Sequence, residues 1–137
     1  MVIMITPEEF TQDIFLMGKL FIEGIGECKI EIHCPDAFPI VPHFHISNSD
    51  KTFFTCICIY SNNYFSHDNV YINKFTKNQC KILDEWLSQP ENNFGKATNW
   101  EMMFIIWEPA HKYIQFPEYR KTKIKPDYSN MSEYIYE

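Results

Sequence analysis

The chain is predicted to fold as one α+β domain, and three observations support this prediction. Its 137 residues match the usual size of a single domain. Hydrophobic residues make up 45% and charged residues 22%, which is a globular rather than a disordered composition. Segments with a two-residue apolar period come before two segments with a helical period. We therefore expect a small antiparallel sheet of three to five strands, with an N-terminal helix and two C-terminal helices packed on it.

The three helices are predicted from one start signal, the capping box. Each start has a threonine followed three residues later by an acidic or amide side chain: Thr6 with Glu9, Thr76 with Gln79, and Thr98 with Glu101. Apolar residues at helical spacing follow each start; after Thr6 these are Phe10, Ile14 and Met17. The helix after Thr98 is apolar on nearly all sides, so it should be the most buried one, ending or kinking near Pro109.

Strands are predicted wherever the apolar period is two. They cover residues 19–23, 27–33, 43–46 and 52–60, with a further candidate at residues 70–75. Gly24-Ile25-Gly26 predicts a turn between the first two strands, and three prolines make residues 34–42 a loop. The chain after about residue 113 has no clear period and is predicted to be an irregular basic and aromatic tail.

The sharpest local feature is Pro42-His-Phe-His-Ile46, in which His43 and His45 point to one face of a strand. If residues 27–33 and 43–46 pair so that His33 lies opposite His43, Glu31 falls opposite His45. Three imidazoles and one carboxylate would then share one patch. This set is suited to zinc or another divalent metal, or to acid–base catalysis with His43 and His45. The favoured interpretation of the patch, however, is the polar face of a half-exposed antiparallel sheet, in which His43 and His45 bond to helix ends or loop carbonyls.

Charge and cysteine content limit the classes of function. The net charge is −6, which argues against bulk binding to duplex nucleic acid. The tail contains one basic run, which consists of Arg120, Lys121, Lys123 and Lys125. This run is either a solvated surface or a candidate segment for binding single-stranded nucleic acid. The five cysteines and the lack of a recognisable secretory signal predict reduced thiols in a cytosol. No membrane span is expected.

At Pro42-His-Phe-His-Ile46 the chain resembles a family of small bacterial and phage proteins with a Pro-Pro-His-Phe-His-Val/Ile signature. The resemblance extends to residues 18–24 and to the Thr98 helix start with Trp107. It differs at Val41, where the family has a second proline. The resemblance implies a small α+β domain in a bacterial or phage setting, in the host cytoplasm or the virion, and it implies no activity.

Two classes of function follow. The favoured one is a non-catalytic interaction protein with a protein partner and no cofactor, such as a virion component, an inhibitor of a defence system or an antitoxin-like partner. It is favoured by the small size, the acidic charge and the lack of a complete catalytic motif. The alternative is a metal-dependent hydrolase or nuclease that uses His33, His43 and His45 with Glu31.

Overall fold

The computed structural model describes residues 13–34, 42–65, 73–90, 97–110 and 124–133. Within these ranges it confirms the α+β class, because a sheet and two helices form. The elements in chain order are β1 (Asp13–Ile22), β2 (Gly26–Cys34), β3 (His43–Asn48), β4 (Phe54–Cys58), β5 (Asn63–Phe65), α1 (Lys77–Leu87), α2 (Asn99–Ala110) and β6 (Ser132–Glu133).

The described residues form a six-stranded sheet in the order β1-β2-β3-β4-β5-β6. The first five pair with antiparallel neighbours, whereas the two-residue β6 runs parallel to β5. The predicted three to five antiparallel strands are therefore confirmed, and β6 is an addition from the C-terminal segment. The turn at residues 24–26 is also confirmed, since Gly24 and Gly26 have φ angles of +89° and +103°, which suit glycine.

The N-terminal helix is the main error of the sequence prediction. Its capping box lies outside the described residues, but Ile14 and Met17, which were assigned to its apolar face, lie in β1. The chain from Asp13 pairs with β2, with one irregularity: Met17 is an extra residue where the register shifts between Leu16 and Gly18. Residues 14–17 are all apolar and end at this β-bulge, so no two-residue period is visible there, and Ile14 and Met17 also fit helical spacing.

Both predicted C-terminal helices are present with their capping boxes. Gln79 N–H donates to Thr76 Oγ1 at 3.2 Å, and Thr76 N–H donates to Gln79 Oε1 at 2.8 Å. Glu101 N–H donates to Thr98 Oγ1 at 3.1 Å in the same way. Helix α2 runs to Ala110, two residues beyond the predicted end near Glu108. The candidate strand at residues 70–75 is not seen at residues 73–75, the part of it that the structure describes.

The helices cover one face of the sheet, which we call the helix face. Fully buried apolar side chains of β1 to β4, and of the residue that follows β4, lie on this face: Ile22, Ile30, Ile32, Phe44, Ile46, Ile57 and Ile59. Helix α2 supplies the largest buried side chains, as predicted, with Trp100 and Trp107 exposed by 1% and 2%. Ile105, however, is 56% exposed, so α2 has one solvent-facing side.

The described part of the C-terminal segment, residues 124–133, contributes to the core. Tyr128 is completely buried, and its hydroxyl lies 2.8 Å from the carbonyl oxygen of Cys58 and 2.7 Å from that of Ile59. The indole N–H of Trp100 donates to the same Ile59 oxygen at 2.8 Å. The segment is thereby attached to the end of β4.

Thr55 lies on the helix face of β4 and is completely buried, yet its hydroxyl has no hydrogen-bond partner among the described residues. A buried hydroxyl without a partner costs stability, and valine has nearly the same shape without the hydroxyl. Thr55→Val should therefore raise the free energy of unfolding by about 1 kcal/mol in urea denaturation.

The matched control is Thr52→Val. The Thr52 hydroxyl accepts a hydrogen bond from Asn48 Nδ2 and donates one to Asp50 Oδ1, each at 2.8 Å, so removing it should lower stability. A loss of stability in Thr55→Val as large as in Thr52→Val would show that the Thr55 hydroxyl is bonded.

Candidate functional site

The predicted register between β2 and β3 is correct at the position that matters for the histidine patch. Glu31 lies opposite His45, as the sequence analysis expected. Because directly paired residues share a face, both side chains lie on the sheet face opposite the helix face, which we call the histidine face. His33 and His43 lie there too, since each has ring contacts with His45.

The three imidazoles form a compact cluster. The rings of His33 and His45 stack with their centroids 3.9 Å apart and their planes 14° apart. His43 meets His45 edge to face at 5.0 Å and packs against Phe65 at 4.6 Å. His33 Nε2 also lies 4.0 Å from Glu31 Oε1. The structure therefore brings together all four residues that the sequence analysis proposed for this patch.

Two cysteines of β4 complete the cluster, and the sequence analysis did not connect them with the histidines. Cys56 lies opposite His45 and Cys58 lies opposite His43. Cys56 Sγ is 3.3 Å from His45 Nδ1. The signal was present in the sequence as two alternating pairs, His-x-His and Cys-x-Cys, in neighbouring strands. Predicting that these two pairs meet requires the register between β3 and β4, which the residue types alone do not give.

The centre of this cluster is shielded from solvent. The exposed fractions are 1% for His43, 8% for His45, 3% for Cys56 and 2% for Cys58. A thiol beside an imidazole is the arrangement of a cysteine nucleophile and its base. Here, however, both members of the pair are buried within the fold, so neither is placed to meet a substrate in solvent. The arrangement is suited to internal polar packing of the sheet.

The ring geometry does not favour a shared metal ion. A metal bound by an imidazole nitrogen lies close to the plane of that ring, about 2 Å from the nitrogen. The planes of His33 and His45 run nearly parallel at a centroid separation of 3.9 Å, so they do not meet at such a distance. Across the described ranges, no group of three His, Cys, Asp or Glu side chains is placed so that it could hold a metal ion.

A separate cleft of about 440 Å³ lies at the start of α1. Two of its lining side chains are potential nucleophiles, the Cys80 thiol and the Tyr64 hydroxyl. Burial raises the pKa of Cys80 and the pKa of Tyr64, so both groups stay protonated near neutral pH. Tyr64 is also held in place, because its hydroxyl accepts a hydrogen bond from Phe75 N–H at 2.8 Å. The cleft therefore offers no activated nucleophile among these two groups.

The predicted basic binding segment is described only at its end. Arg120, Lys121 and Lys123 lie outside the described residues. Lys125 forms an ion pair with Asp84 and lies 5.5 Å from the centre of the Tyr128 ring. Its side chain is 22% exposed. In this position Lys125 attaches the C-terminal segment to α1. Its ammonium group would have to leave Asp84 in order to bind an external ligand.

Strand β1 carries a surface that the sequence analysis missed. Four of the six large apolar side chains that are exposed in the described part of the chain lie in β1: Ile14, Phe15, Leu16 and Phe21. β1 is also the first strand of the sheet, with β2 on one side and no described strand on the other. The helical interpretation of Ile14 and Met17 hid this surface.

Comparisons with protein-family models, with curated proteins and with solved structures found no match. The resemblance to the bacterial and phage family therefore stays a prediction. Neither of the two described helices is long and apolar enough to cross a membrane.

We predict that the histidine face holds no stoichiometric metal. Cobalt(II) added to chelator-treated protein should give no absorption bands from thiolate or imidazole ligation, because the stacked rings cannot share an ion. The opposite result would be saturable bands at one equivalent that disappear in Cys56→Ser and persist in Cys28→Ser. Cys28 is the matched control, as it is also buried but lies on the helix face.

Proposed function

We propose that the chain is a non-catalytic interaction protein of a bacterial or phage system, and that it binds an extended segment of a partner protein along β1. The observation that carries the proposal is the exposed apolar edge strand. Phe21 is 70% exposed, Ile14 56%, Leu16 52% and Phe15 41%, all within one ten-residue strand. Apolar surface concentrated in this way is typical of a site for another protein.

Strand addition is the mode of binding that this edge fits. An edge strand presents a row of backbone N–H and C=O groups to which another extended chain can bond. Proteins that stay monomeric commonly protect such edges with charges or prolines. Between Ile14 and Ile22, β1 has no proline and a single charged residue, Lys19. Its Nζ lies 3.8 Å from Glu27 Oε1.

Both sheet faces of β1 contribute apolar contacts, so specificity would come from alternating pockets. The pairing with β2 puts Phe15 on the helix face, opposite Ile32, and Leu16 on the histidine face, opposite Glu31. A partner strand that adds to β1 would place its own alternating side chains beside these two sets.

The enzyme alternative has less support from the geometry. It requires His43 and His45 to reach a substrate or an ion, whereas both are buried and packed against aromatic rings. An interaction protein requires only an accessible surface, which β1 provides. The host cytoplasm and the virion are both settings in which such an accessory protein would act.

The test uses a synthetic peptide of alternating valine and threonine with a lysine at each end. Titrated into isotope-labelled protein, it should shift the NMR signals of amides within residues 14–22. Ile14→Lys should weaken this binding about tenfold or more, equivalent to about 1.4 kcal/mol, because a charge replaces an apolar contact.

Ile105→Lys is the matched control, since Ile105 and Ile14 are both isoleucines with 56% exposure, in α2 and β1 respectively. It should leave peptide binding unchanged. Signal shifts confined to α2 or to the cleft beside α1, or none at millimolar peptide with the protein dilute enough to be monomeric, would contradict strand addition at β1.

A further inference from the structure

The side chains of β1 are arranged almost symmetrically about Gly18. Read forwards from Ile14, the order is Ile, Phe, Leu, Met, Gly; read backwards from Ile22, it is Ile, Phe, Leu, Lys, Gly. In an antiparallel pair of identical strands, a two-fold axis at Gly18 brings the residues before Gly18 opposite the residues after it in the second copy. Apolar residues lie on both sides of Gly18 and no described strand covers this edge of β1, so two copies can place apolar side chains beside one another.

The bulge at Met17 decides which side chains meet across such an axis. Gly18 and Leu20 pair with Ile30 and Cys28 of β2 and so lie on the helix face, together with Phe15, which pairs with Ile32. Ile14, Leu16, Lys19 and Phe21 lie on the histidine face. Met17 is the extra residue of the bulge, so the residue-by-residue pairing of β1 with β2 shifts by one position at Met17.

We propose that the strand added to β1 is β1 of a second copy of this chain, with the two-fold axis at Gly18. The inference rests on the proposed function of β1 as a strand-addition surface. Same-face pairing around the bulge then places Leu16 opposite Lys19 of the second copy, Phe15 opposite Leu20, and Ile14 opposite Phe21. Each exposed apolar side chain of β1 meets an apolar side chain or, for Leu16, the aliphatic stem of a lysine.

The charges are compatible with this register. Lys19 lies opposite Leu16 rather than opposite its own symmetry mate, so like charges are not directly opposed. Each Lys19 keeps its own Glu27, 3.8 Å away. Gly18 lies opposite Gly18 at the axis, and the space where its Cβ would lie is taken by the Trp86 indole of the same copy. The dimer joins two six-stranded sheets into one.

The interface is small, because it consists mainly of one strand pair, and such interfaces are at the weak end of specific association. We therefore expect a reversible dimer that forms in the micromolar range. Sedimentation equilibrium of the full chain should show a monomer–dimer equilibrium, with the dimer dominant at submillimolar concentration. Ile14→Lys should be monomeric throughout that range, and Ile105→Lys should dimerise like the unmodified chain.

A cross-linking experiment tests the register. Ile14→Cys and Phe21→Cys chains are mixed under mild oxidation, each also being incubated alone. Directly opposed Cβ atoms lie about 5 Å apart, near the range that a disulfide spans. The mixture should give a disulfide between Ile14→Cys and Phe21→Cys, identified by mass spectrometry, and neither chain alone should give a disulfide at its introduced cysteine.

The outcomes separate this inference from the proposed function. A chain that stays monomeric at submillimolar concentration, while the valine–threonine peptide still binds β1, overturns the second copy as occupant and leaves strand addition standing. A dimer that persists in Ile14→Lys, or that cross-links only within one variant, also overturns the proposed interface. A chain that neither dimerises nor binds the peptide overturns both proposals.

Discussion

The backbone carbonyls of Cys58 and Ile59, at the end of β4, hold two distant parts of the chain against the sheet. The Ile59 oxygen accepts the Trp100 indole N–H at 2.8 Å, and the Tyr128 hydroxyl lies within 2.8 Å of both the Cys58 and Ile59 oxygens. Buried carbonyls need donors, and these two donors come from parts of the chain far apart in sequence. Burial raises the pKa of Tyr128 well above its ordinary value, so its hydroxyl remains a donor. The segment is also fixed to α1, since Asp84 accepts Tyr128 N–H at 2.9 Å.

The cover that the helices give to β1 is incomplete. Helix α1 packs on the helix face of β1, where Ile22 is completely buried, and helix α2 packs on β2. A Cβ at Gly18 would lie 2.6 Å from Trp86 Cζ2, so Gly18 is what lets this indole lie against β1. The apolar side chains of β1 that remain at the surface are Ile14, Phe15, Leu16 and Phe21. The interaction surface is thus the part of the sheet that the described helices do not cover.

Features set by neighbouring residues could be predicted from the sequence. The caps at Thr76 and Thr98 depend on contacts over three residues, and both formed. The Glu31–His45 pairing followed from alternation in two strands joined by a short connection. Long-range features could not be predicted in this way. Tyr128 reaches carbonyls about 70 residues earlier, and nothing in the local pattern of the tail indicates that contact.

The errors have local physical causes. Residues 14–17 form a continuous apolar run that ends at the extra residue Met17, so β1 shows no alternation there, and Ile14 and Met17 fit a spacing typical of a helix. β5 has only three residues, too few for a period to be recognised. The histidine patch was located correctly, but its chemistry depends on ring orientation and burial, which residue types alone do not specify.

The most direct test of this account is amide hydrogen exchange in β1 at low micromolar and at submillimolar protein. The account predicts that the amides of β1 directed away from β2 exchange rapidly in dilute protein and become protected at the higher concentration, while β3 amides are protected in both. Protection of all β1 amides to the level of β3 in dilute protein would contradict it. That result would mean that the edge is already covered within a single chain.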